Sequence, residues 1–170
     1  SSPPGSGSGY PPPAGYALND YILYESTNGG QTWAQMSGGP ALRSVYIQAL
    51  TFDPVDTSRL LVTVSYIGQQ YSSAVLLWNG TAWSQVLSPS PTSADNLIAV
   101  AGTASNDVWA VGASLGSGPV RPLTMHWDGI MWQVASTPSL AGNYALEDVV
   151  AFAPNDVWAV GYAELTEHWD

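Results

Sequence analysis

Asn106-Asp107-Val108-Trp109-Ala110-Val111-Gly112 returns without a single change as Asn155-Asp156-Val157-Trp158-Ala159-Val160-Gly161. The two copies lie 49 residues apart (155 − 106), and the same offset carries Trp78-Asn79-Gly80 onto Trp127-Asp128-Gly129 and Trp83 onto Trp132. A period in the range of about 20 to 50 residues points to similar units laid side by side rather than to one irregular core.

Working outward from the first copy, Leu97–Ala101 precedes it, and Leu123–Trp127 and Met131–Val134 follow. Each is a short run rich in apolar, β-branched and aromatic residues, bounded by turn formers, and so predicts a strand. One unit earlier the same order reads Val45–Phe52, Leu60–Ser65, Val75–Trp78 and Ala82–Val86; one unit later it reads Leu146–Phe152, Val157–Val160 and Leu165–Asp170. Asn79-Gly80 and Asp128-Gly129 are hairpin signals, because glycine supplies the positive φ of a tight turn. Between the last two units only the connection before the third strand differs in length, 113–122 against 162–164. Four antiparallel strands per unit and no helical periodicity predict an all-β chain, a β-propeller with four-stranded blades. A sandwich of short strands would leave the recurrence unexplained.

Residues 1–19, which open with the Gly/Ser/Pro stretch Ser1–Ala14, read as a linker: they carry too little apolar surface to offset chain entropy. Residues 20–170 then hold a partial first blade, two complete blades and three strands of a further one. Closed propellers use about four to eight blades. An incomplete ring is therefore expected here, with the remaining blades coming from the same longer chain or from another copy.

The charge balance removes several partners. Net charge is −10, from 13 acidic residues against Arg43, Arg59 and Arg121, with no lysine. Affinity for nucleic acid comes largely from Lys and Arg displacing counterions, so nucleic acid is excluded as a partner. Cysteine is absent, which removes disulfides and thiolate chemistry. No apolar run reaches the roughly 18 residues of a membrane-spanning helix. Only 9% of residues are charged, so Ser, Thr, Asn, Gln and Gly must build the surface, as suits a secreted or cell-surface chain.

Ahead of the repeats stands Ser26-Thr27-Asn28-Gly29-Gly30-Gln31-Thr32-Trp33. Asn28 is suited to bonding local amides, Gly30 to a positive φ, and Trp33 to packing its ring under the loop. Ser26, Asn28, Gly30, Thr32 and Trp33 resemble the Asp-box, or BNR, repeat, departing from it only in Asn for Asp. In that family the box is a hairpin turn between the outer strands of a propeller blade. The later units resemble the Trp-Asp-Gly…Asn-Asp-Val-Trp-Ala-Val-Gly repeats of large bacterial extracellular proteins. Together the resemblances imply a non-enzymatic module, secreted or lipid-anchored at the cell surface, that binds protein or glycan or serves as structure within a larger assembly. The alternatives they imply are a lectin or glycoside hydrolase of Asp-box type, and an assembly factor for a membrane complex. A sialidase of that family would need a cluster of arginines, and nothing in the sequence gathers Arg43, Arg59 and Arg121.

No catalytic residue, metal ligand or cofactor is predicted. His126 and His168 hold equivalent positions one unit apart, which favours bonds to strand neighbours over a shared metal. Asn106-Asp107 and Asn155-Asp156 read as turn residues whose side chains bond the backbone. Glu147 and Asp148, adjacent in a strand, point to opposite faces unless the strand bulges. Trp78, Trp83, Trp109, Trp127, Trp132 and Trp158 recur by repeat and are expected to pack between units. Ligand contacts are expected among the non-repeated Tyr66, Tyr71, Tyr144 and Tyr162.

Overall fold

A computed structural model describes residues 23–36, 45–66, 73–92, 94–137, 142–162 and 166–169. The linker expected over 1–19 lies outside them, as do Arg43 and Tyr71. Among the described residues every regular element is a strand, so the chain is all-β. Strands β1 (Tyr24–Glu25) and β2 (Ala34–Gln35) pair as a short ribbon. The first sheet is β3 (Val45–Phe52), β4 (Leu60–Tyr66), β5 (Ser73–Trp78) and β6 (Trp83–Val86). The second is β7 (Asp95–Ala104), β8 (Asp107–Ser114), β9 (Arg121–Trp127) and β10 (Trp132–Val134), and the third is β11 (Leu146–Ala153), β12 (Asp156–Gly161) and β13 (Thr166–Trp169). Each is an antiparallel meander in chain order.

The sheets lie against one another. β7 packs on β3, β4 and β5 before it and on β11 after it. Side chains alternate across a strand, so each sheet has a trailing face toward the preceding sheet and a leading face toward the next. In β8, Val108 and Ala110 trail into a core with Leu61, Val75, Leu97, Leu123, Met125 and Trp132. Trp109 and Val111 lead into a second core with Leu146, Val149, Val157 and Ala159. β8 is consequently buried along its whole length. A third core joins Val45, Leu60, Val62, Val64, Ala74 and Leu76 to Leu23 and Met36, which flank the ribbon. At about 1.5–3 kcal/mol for each fully buried Val, Leu, Ile, Phe or Met side chain, these layers supply the main favourable term of the fold.

Local geometry explains why the heptad ends in glycine. β7 bulges between Leu97 and Ala99 opposite Gly112, and β11 bulges between Leu146 and Asp148 opposite Gly161. The bulge brings backbone so close that a Cβ on Gly112 would run into the Asn96 carbonyl oxygen, and one on Gly161 into that of Ala145. β3 bulges at the same place, between Ile47 and Ala49, but there Val64 faces it. The bulge in β11 is the exception allowed for Glu147 and Asp148: both are exposed, and the Asp148 carboxylate accepts the Val149 amide at 2.9 Å.

The hairpins are four-residue turns rather than two-residue ones. Trp78 pairs with Trp83 and Trp127 with Trp132, leaving 79–82 and 128–131 between them. Asn79 Oδ1 accepts the amides of Thr81 and Ala82, and Asp128 Oδ1 those of Ile130 and Met131, while Gly80 and Gly129 take φ of 91° and 94°. Those amides hold the Asp128 carboxyl below its ordinary pKa. Above each turn the two tryptophans meet, with ring centroids 5.4 Å and 5.8 Å apart.

Candidate functional site

Chemistry-bearing side chains gather in three kinds of place. The first is the heptad itself. Asp107 Oδ1 accepts Trp109 Nε1 at 3.2 Å and bonds His126 Nε2 at 2.7 Å, and its other oxygen takes the Thr103 hydroxyl. Asp156 does the same with Trp158 Nε1 at 2.9 Å and His168 Nε2 at 3.0 Å. Each histidine also lies against its tryptophan, with centroids 4.5 Å and 4.2 Å apart. The aspartates open strands β8 and β12 and bond side chains across to β9 and β13, which corrects their expected role as turn residues bonding backbone. Such a set clamps neighbouring strands. Its carboxylate and imidazole are committed to each other and to the indole.

Two buried aspartates form the second kind. Asp53 accepts the amides of Val55 and Asp56, Arg59 Nη1 at 3.3 Å, and Ser105 Oγ at 2.8 Å, a bond that ties the first sheet to the second. Asp95 accepts Ser114 Oγ, Ser90 Oγ and Thr92 Oγ1, each at 2.7 Å, and the Thr92 amide at 3.1 Å. Burial pushes both carboxyls up. The hydrogen bonds, joined for Asp53 by the Arg59 charge, outweigh burial and hold both below the ordinary range.

Glu167 stands apart. It is 5% exposed, and neither carboxylate oxygen has a hydrogen-bond partner among the described residues. Burial alone pushes its pKa up. Pairing Ala159 with Glu167 matches Ala110 with Met125 and Val62 with Leu76 in the other sheets, so a carboxyl occupies a position that elsewhere is buried and apolar. It lines a cleft of about 480 Å³ with Ser136, Thr137, Thr166, His168 and Trp169.

The tryptophans divide by neighbour. Trp109 and Trp132 are buried, and Trp78, Trp83 and Trp127 are partly buried against the cores. Trp158 is 42% exposed where its counterpart Trp109 is 7% exposed. Trp33 is exposed, its Nε1 on the Gly30 carbonyl, within a turn where Asn28 Oδ1 accepts Ser26 Oγ and the Thr32 amide. Asn28 also donates to Thr32 Oγ1, and Gly30, at φ 84°, donates its amide to Ser26 Oγ.

Of the tyrosines, Tyr144 packs on the core between the second and third sheets, Tyr162 is exposed, and Tyr66 ends β4. Tyr162 donates its amide to the carbonyl of Ala145, next to Tyr144, whereas Tyr66 lies in the first sheet. Arg59 precedes β4 and Arg121 opens β9, on different sheets. Among the described residues no group of three or more His, Cys, Asp or Glu side chains could hold a metal ion, and no helix is long and apolar enough to cross a membrane. No protein-family model matches the chain, and no curated protein matches it either.

Sequence reading passed over Glu167 and the aspartate cages. Aligning the third unit on the second sets Glu167 against Met125, a signal that was present in the repeat. The Asp95 cage draws on Ser90, Thr92 and Ser114 from three separate segments, and no spacing announces it.

Proposed function

We propose that this chain is part of a β-propeller of the extracellular or cell-surface type, acting as a non-enzymatic binding and structural module. The observation that carries the reading is the open leading face of the third sheet. Val150, Trp158 and Val160 are exposed there, whereas Trp109 and Val111, the counterparts of the last two, are sealed by the sheet that follows. Leu50 and Phe52 are similarly exposed on the trailing face of the first sheet. Large contiguous apolar surface is normally covered, so further sheets of the same kind, from a longer chain or another copy, are the matching occupants. The loop Ser26–Trp33, held by side-chain bonds of its Ser, Asn and Thr, supports an Asp-box hairpin at the outer edge of a blade. The heptad aspartates and histidines are consumed in strand clamps, which favours a scaffold over a catalyst.

Two measurements test this. Electron cryomicroscopy of the natural full-length protein is expected to show a ring of about four to eight sheets; an open stack of sheets would refute the ring. A panel of glycoside substrates is expected to give no turnover. Turnover abolished by one carboxylate substitution would establish the glycan-directed enzyme instead.

A further inference from the structure

Asn28-Gly29 and Asn79-Gly80 are the Asn-Gly steps among the described residues, and both lie in exposed turns. In such a step the glycine has no side chain to shield its own amide nitrogen, and attack of that nitrogen on the asparagine side-chain carbon closes a five-membered ring. The two turns treat the asparagine differently. At 79 the amides of Thr81 and Ala82 donate to Oδ1 at 3.0 Å and 2.9 Å, and the Thr81 hydroxyl adds a bond at 2.9 Å. These donors draw electron density from Cγ and stabilise the negative charge that the oxygen takes on when Cγ is attacked. Every bond to this side chain falls on the oxygen, so Nδ2, the group to be expelled, is unheld among the described residues. At 28 the oxygen accepts only Ser26 Oγ and the Thr32 amide, and Nδ2 is tied to Thr32 Oγ1 at 2.7 Å.

We propose that Asn79 is a site of spontaneous deamidation, converting to aspartate ahead of the other asparagines the structure describes, Asn28 included. The Gly80 nitrogen, its proton taken by hydroxide, bonds to Asn79 Cγ. The Cγ–Nδ2 bond breaks, and the amine leaves as ammonia with a proton from water. Water then opens the succinimide at one of its two carbonyls, and nothing is oxidised or reduced. The repeat shows what the turn makes of the product. Asp128-Gly129 fills the same place one unit on, in the same four-residue turn, and its Oδ1 accepts the amides at the two matching positions, Ile130 and Met131. An α-linked aspartate at 79 therefore keeps the turn and adds one negative charge. Opening at the other carbonyl routes the main chain through the side-chain carbon, and that longer path does not fit the pairing of Trp78 with Trp83. The inference rests on this hairpin alone and does not depend on how many sheets complete the molecule.

Incubation of the intact chain at mildly alkaline pH, followed by peptide mass spectrometry over time, tests it. Each conversion adds one mass unit to the asparagine concerned. In the folded chain Asn79 is expected to convert about fivefold faster than Asn28, the worth of roughly one neutral hydrogen bond to the leaving amine. In urea, where neither turn is held, the two should convert at similar rates, because glycine follows both. Asn79→Asp, made directly, should unfold at the native urea midpoint. The proposal is overturned if Asn79 keeps its mass in the folded chain, if Asn28 converts as fast as Asn79 before urea is added, or if Asn79→Asp lowers the urea midpoint.

Discussion

At position 167 a carboxyl sits where Met125 and Leu76 stand in the neighbouring sheets, and burial raises its affinity for a proton. The folded state therefore holds that proton more tightly than the unfolded chain does. Its contribution to stability falls as pH rises from the ordinary glutamate value of about 4.3 through the raised one. Glu167→Gln should remove that decline, so urea midpoints measured from pH 4 to pH 8 will diverge in favour of the variant at the alkaline end. Asp53 and Asp95 work with the opposite sign: their depressed values give stability that is present above about pH 4 and lost as pH falls below it. Gly112 is a different case. Gly112→Ala forces a Cβ onto the Asn96 carbonyl and should cost about 2 kcal/mol or more in urea denaturation, as overpacking in a rigid layer does. The identity of the heptad marked that glycine as special, but the reason, a bulge on the facing strand, exists only once β7 and β8 are paired.

Strands were the most legible level, because alternating apolar residues broken by Asn-Gly and Asp-Gly mark them from short-range chemistry alone. Their clamps were not. Asp107 and Asp156 look alike in sequence and like turn residues, and only the pairing of β8 with β9 and β12 with β13 brings His126 and His168 onto them. The shared recurrence of Asp, Trp and His at one offset was the available clue. The clamps should differ in strength, since the Asp107 side chain is 9% exposed and that of Asp156 is 47% exposed. Asp107→Ala strands a buried indole N–H and imidazole and should cost about 2–3 kcal/mol, whereas Asp156→Ala, with water at hand, should cost about 1 kcal/mol or less. Paired urea titrations of the two variants measure the difference.

For the molecule as a whole, burial is set by what lies next to a sheet, which no local pattern encodes. Trp109 and Trp158 end up in unlike surroundings for that reason alone. Trp109→Ala should cost about 3–5 kcal/mol, the usual loss for a buried tryptophan. Trp158→Ala should cost about 1 kcal/mol in this chain, because the residue is already 42% exposed and the losses are the His168 stack and the Asp156 bond. Measured again in a longer natural protein, a Trp158→Ala cost that climbs toward the Trp109 figure would report that its face has been covered.

Because β8 is buried on both sides, the second strand of the middle sheet has no surface of its own. A polypeptide cut down to 95–134 would present two greasy faces to water and precipitate or clump. The smallest piece that a protein engineer could hope to keep in solution therefore spans at least two adjoining sheets, and deletions are best placed at the outer ends.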